Sequence, residues 1–88
     1  MGQRLGESSV YSREAGFTEK YAYVNGGNGD GQIEYQGWAA AGTATTTARW
    51  RIRKFTYDSS NRTTDIQWAA GTDEFTTAWD SRTSATYS

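Results

Sequence analysis

Apolar and polar positions alternate with a period of two in five stretches of this chain, and polar or glycine-rich segments separate them. The first is "EKYAYVN" (19–25), where Tyr21 and Tyr23 alternate with Ala22 and Val24. After "GGNGDG" comes "QIEYQGW" (32–38), with Ile33 and Tyr35 set against Gln32, Glu34 and Gln36. Two alternating runs about a glycine-rich turn predict a β-hairpin. "AAAGTATTTA" (39–48) carries no period and reads as a loop with room for one helical turn.

"RWRIRKFTY" (49–57) alternates again, with Trp50 and Ile52 on one face and Arg49, Arg51, Arg53, Phe55 and Tyr57 on the other. The turn "DSSNR" leads to "TTDIQWAA" (63–70), where Ile66 and Trp68 share a face opposite Asp65, Gln67 and Ala69. If Tyr57 faces Thr63, an unbroken register sets Ile52 against Trp68 and Arg53 against Gln67. Trp50, Ile52, Ile66 and Trp68 are then expected to form one apolar patch, with the arginines on the reverse face and Asp65 diagonal to Arg53.

The period changes at "GTDEFTTAWDSR" (71–82), where Phe75, Ala78, Trp79 and Arg82 follow helical spacing. Thr72 or Asp73 serves as a cap and Glu74 suits a first turn, so one or two helical turns are expected to lay Phe75 and Trp79 over the sheet. Asp80 and Arg82 are expected to bond locally. "TSATYS" (83–88) alternates once more and predicts a terminal strand. Residues 1–18 are polar and aperiodic, an extended arm before a single β domain at 19–88. The fold expected is mostly β: a small antiparallel sandwich or barrel-like domain of about five strands, with one short helical segment near 73–82. Its core is expected to hold Trp50, Ile52, Ile66, Trp68, Phe75 and Trp79.

Composition narrows the chemistry. The 88 residues contain no histidine and no cysteine, so a Ser-His or Cys-His nucleophile and a thiolate metal site cannot be built. No enzyme, cofactor or metal is expected. A formal net charge of −1 gives no global field toward phosphate or an anionic membrane. No stretch is apolar enough to span a bilayer, and the opening residues lack the apolar region of a signal peptide. Aromatic residues make up 15% of the chain while leucine occurs only at Leu5, so the core is thin and neighbouring subunits are expected to help.

Several constellations have an ordinary structural explanation. "GGNGDG" resembles a calcium-binding β-turn, but the acid stands one place early and the unit occurs once; a hairpin turn using glycine's left-handed freedom explains it. Asp73, Glu74 and Asp80 suit capping better than a glycosidase carboxylate pair, since so short a chain offers no cleft. The arginines take the outward places of a half-buried strand, and with acids close by nucleic acid is not an expected partner. Tyr23, Tyr35, Trp38, Phe55 and Tyr57 exceed what one small core needs. Aromatic surplus with arginine marks either a protein interface or a platform that stacks sugar rings.

Residues 35–88 carry an ordered set of motifs. Gly37, Ala39 and Gly42-Thr43 are followed by Ala48, Trp50, Ile52 and the run Thr56-Tyr57-Asp58. Then come Trp68, Ala69 and Gly71, next Phe75, Trp79, Asp80 and Arg82, and finally Tyr87-Ser88. In order and spacing this resembles a group of short tailed-bacteriophage proteins, mostly of unassigned role, although "DSSNR" lacks the glycine often found in that turn. The resemblance covers 54 of the 88 residues. It implies a viral structural protein, made in the host cytoplasm and carried in the virion as capsid decoration, as part of the head–tail connection or in the tail. The expected partners are other virion proteins and further copies of this chain, with a host-surface glycan as the alternative. The interface candidates are Arg49, Arg51, Arg53, Phe55, Tyr57, Tyr23, Tyr35 and Trp38.

Overall fold

The computed structural model describes residues 16–88. The residue 1–15 portion of the expected arm lies outside them. Four strands are β1 (Phe17–Tyr23), β2 (Ile33–Ala40), β3 (Arg51–Tyr57) and β4 (Thr63–Trp68). They form one antiparallel sheet in the order of the chain. Each strand therefore pairs with its neighbours in sequence, the commonest connection of antiparallel strands.

One face of this sheet is packed. Trp50, Ile52 and Ala69 are buried on it with Tyr35 and Ala39 of β2, and Trp79 closes over them. Trp79 begins the single 3-10 turn, Trp79–Ser81. Its ring meets Trp50 at 5.9 Å between centroids in a tilted pair. Gly37 makes this possible: a Cβ there would lie 2.6 Å from the Trp79 ring. Trp50 also donates its indole N–H to the Ala44 carbonyl at 3.0 Å, so its polar edge is satisfied. Beside this pair, Tyr87 tilts against Tyr35 at 5.8 Å and donates its hydroxyl to the Arg82 carbonyl.

Of the one or two helical turns expected near 73–82, a 3-10 turn forms at Trp79–Ser81, and the residues before it are not helical. Thr72 Oγ1 accepts the Glu74 amide, a local turn rather than a helix cap. Thr77 and Trp50 then exchange both backbone hydrogen bonds, which holds the segment extended there. The terminal strand shrinks to a bridge between Ala69 and Tyr87, with Ser88 and Trp68 bonded reciprocally. The described residues therefore make four strands in one sheet. The second layer is the 69–88 segment rather than the further sheet of a sandwich.

A larger correction concerns register. Tyr57 does face Thr63, but the pairing shifts after it, so Thr56 meets Asp65 and Thr64 is the extra residue. A bulge of one residue turns every later side chain to the opposite face. Arg53 accordingly pairs with Trp68 and Phe55 with Ile66, while Ala69 takes the place beside Ile52. The physical reason is volume. Trp50, Trp79 and Tyr87 fill the core face, and the small Ala69 fits beneath them where Trp68 would overfill it. Ile66, assigned to the core by strict alternation, is 48% exposed, and Phe75 is 39% exposed. Asp65, matched with Thr56, falls on the face away from Arg53.

The loops at one end are tied together. Gly29 stands at φ 81° with the Tyr57 ring against it, and the turn from 26 to 31 uses left-handed glycines throughout. In the β3–β4 turn Asn61 takes the left-handed position at φ 63°, a residue that tolerates this region. Asn61 also accepts the Gly29 amide on its side chain and the Gln32 side chain on its carbonyl, both at 2.8 Å.

Two outcomes are expected. Gly37→Ala forces a methyl into the Trp79 ring and lowers stability by about 1–3 kcal/mol in urea unfolding. Burial raises the ionisation of Tyr35 and of Tyr87 above the ordinary value of 10.0. The folded state holds these protons more tightly than the unfolded chain. Their contribution is therefore complete below about pH 10 and is lost as pH rises further, which a melting series from pH 8 to 12 measures.

Candidate functional site: an arginine–aromatic sheet face

The reverse face of the sheet carries the unusual chemistry. Paired residues share a face, so the register places Glu19, Trp38 and Arg51 in one row and Tyr21, Gln36, Arg53 and Trp68 in the next. Phe55 and Ile66 make a third row, and Phe17 continues the β1 side. No strand of the described residues lies over these rows. Only Phe75 reaches them from the 69–88 segment, stacking on Phe17 at 6.1 Å with the rings 19° apart.

Within this face the arginines are framed by rings. The Arg51 guanidinium lies 4.8 Å from the Trp38 centroid, 5.2 Å from Phe75 and 5.7 Å from Trp68. Arg53 lies 5.1 Å from Phe55, 5.3 Å from Trp38 and 5.9 Å from Trp68. Trp38 and Trp68 themselves meet at 6.0 Å. Alternation along β3 brings the arginines to this side, while cross-strand pairing with β2 and β4 brings the tryptophans to them. Each such contact contributes about 0.5–1 kcal/mol at an exposed site, so the cluster orders the arginines without burying a charge pair.

Few acceptors reach them. Arg53 Nε donates to the Gln36 side-chain oxygen at 3.0 Å. Arg51 Nε is buried and has no hydrogen-bond partner among the described residues. The only ion pair among those residues is Arg62 with Asp58, on the β3–β4 turn at 2.9 Å. There, amide donation from Arg62 is the leading cause that holds the Asp58 carboxyl below its ordinary value. The Glu19 carboxylate accepts the Tyr21 hydroxyl at 2.6 Å. That hydrogen bond is the leading cause of the upward shift of Tyr21.

The candidates of the sequence separate into three groups. Arg51, Arg53, Phe55 and Trp38 come together on the open face, all half-buried. Arg49 is exposed just before β3 and lines an open hollow of about 260 Å³ with Phe17, Ala40, Thr43 and Phe75. Tyr57 is a structural anchor instead: its hydroxyl donates to the Ile33 carbonyl and its ring packs on Gly29. Tyr35 is 7% exposed in the core, on the face away from Trp38, and Tyr23 is 59% exposed at the end of β1. Tyr23, Tyr35 and Trp38 thus form no common platform.

Trp68, Ile66, Phe17, Tyr21 and Phe75 join the open face although the sequence reading placed none of them there. For Trp68 and Ile66 the missing signal was the bulge at Thr64. Phe17 was assigned to the arm, and the spacing Phe17–Glu19–Tyr21 was the available clue to a strand that starts earlier. Arg82 donates to the Trp79 carbonyl, a local bond as expected, whereas Asp80 accepts the Thr45 hydroxyl at 3.2 Å from 35 residues away. Among the described residues no group of three acidic, histidine or cysteine side chains is placed to hold a metal. No described helix is long and apolar enough to cross a membrane. Comparison with protein-family models, with curated proteins and with solved structures finds no match.

Arg51→Gln, which removes the cation but keeps a polar chain of similar length, is expected to cost about 1–2 kcal/mol through the loss of three ring contacts. Urea unfolding followed by tryptophan emission tests this. A change under 0.3 kcal/mol would mean that the rings do not hold Arg51.

Proposed function

We propose that this chain is a non-enzymatic structural protein of a tailed-bacteriophage virion, acting through protein–protein contacts made by its arginine–aromatic face. The observation that carries the contact surface is the placement of exposed apolar groups. Phe17, Tyr21, Ile66 and Phe75 are four of the five large exposed hydrophobics among the described residues, and all four lie on that face. Scattered apolar residues need no explanation, but a contiguous patch with aromatic and arginine groups at its centre is the composition of an interface.

The virion assignment rests on the resemblance of residues 35–88 to short phage proteins, and the thin core is consistent with it. Decoration of the capsid or a place at the head–tail connection suits the multi-copy mode. Many modest contacts per particle add through effective concentration. Copies of this chain in the same particle are proposed partners alongside other virion proteins.

Quantitative mass spectrometry of purified particles tests the assignment. Hundreds of copies indicate capsid decoration, about a dozen indicate a connector or tail component, and none removes the reading. Tyr21→Asp with Ile66→Asp tests the surface. Both sites are exposed, so the thermal transition is expected to move by only a few degrees, while incorporation into particles is lost.

A further inference from the structure

The open face specifies more about its partner than that it is a protein. Arg51 and Arg53 alternate on β3, so they project on one side about 6.6–7 Å apart, and Arg49, just before the strand, lines the hollow with Phe17 and Phe75 at the margin of that face. The carboxylate placed in their rows is Glu19, already engaged by the Tyr21 hydroxyl. Arg51 Nε is buried without an acceptor, and the one ion pair of the described residues lies elsewhere. The guanidinium groups of Arg51 and Arg53 are thus held between rings with one neutral acceptor, Gln36, and Arg49 stands exposed beside them.

We propose that the occupant of this face is an extended protein segment carrying carboxylates at alternate positions, with apolar residues at the same-side positions that flank them. This deepens the contact-surface reading and rests on it. A strand-like segment repeats its same-side residues at the period of β3, so successive carboxylates can meet successive arginines. A carboxylate approaches a guanidinium along its edge, in plane and often through two hydrogen bonds, which leaves the ring contacts intact. A stacking nucleobase would instead need the ring faces of Trp38 and Trp68, where the guanidinium groups already lie. Apolar residues at the same-side positions before and after the carboxylates would cover Phe17, Phe75 and Ile66.

The test is titration of the full chain with an octapeptide of sequence Leu-Ser-Glu-Ser-Glu-Ser-Leu-Ser, its glutamine-for-glutamate counterpart, and an oligothymidylate of equal length. Tryptophan emission and arginine Nε–H resonances report binding. The glutamate peptide is expected to bind, more weakly as salt rises, and Arg51→Gln with Arg53→Gln to weaken it roughly tenfold or more. Arg49→Gln, outside the ring cluster, is expected to act in the same direction without altering the melting transition. Equal binding of the glutamine peptide, preference for the oligothymidylate, or no response to the glutamate peptide at millimolar concentration would each overturn the proposal. Incorporation of the Tyr21→Asp, Ile66→Asp chain into particles is scored separately. Its loss alongside any of those three results leaves the contact surface standing with a partner of other chemistry, whereas its persistence removes the contact surface itself.

Discussion

The fit of Trp79 into the space above Gly37, against Trp50, is the contact on which the rest of this structure depends. A lone four-stranded sheet has no second layer, and this chain has few aliphatic side chains from which to build one. Two indoles supply the volume that several leucines would supply elsewhere. They pack only because β2 carries no side chain at Gly37. The 69–88 segment is held over the sheet by this contact, by the Tyr35–Tyr87 pair and by the short bridges at Thr77 and Tyr87.

Using the bulky rings in this way settles what happens on the other side. Once Trp50, Trp79 and Tyr87 fill the core face, β4 cannot also direct Trp68 into it. The extra residue at Thr64 resolves the conflict, and its hydroxyl bonds the Thr56 carbonyl at 3.2 Å beside the break in pairing. The arginine face then acquires Trp68 and Ile66 in addition to Trp38 and Phe55. A basic strand face becomes an ordered array of cations between rings. Core packing and surface chemistry are therefore coupled through a single inserted residue.

That coupling shows which parts of the candidate site were legible in the sequence. Arg51, Arg53, Phe55 and Trp38 were, because period-two alternation assigns sides of a strand without reference to anything distant. Tyr35 was misplaced because its neighbours do not reveal that Ile52 and Trp50 will share its face across the hairpin. Phe75 was drawn toward a helix by its spacing from Trp79, but hydrogen bonding between Thr77 and Trp50 keeps that backbone extended. Local propensity lost there to a pairing made across more than twenty residues of chain.

The sequence by itself determined the four strands, the β1–β2 and β3–β4 hairpins, the burial of Trp50 and Ile52, the glycine turn and the lack of histidine and cysteine side chains. These follow from alternation, from turn residues and from composition, all of which act locally. Only the tertiary structure decided the faces of Ile66, Trp68 and Phe75, the reduction of the terminal strand to a bridge, and the left-handed backbone of Asn61. A one-residue bulge leaves no periodic trace in a six-residue strand. Its cause is the volume available on the far side of the sheet, which is set by residues distant in the chain.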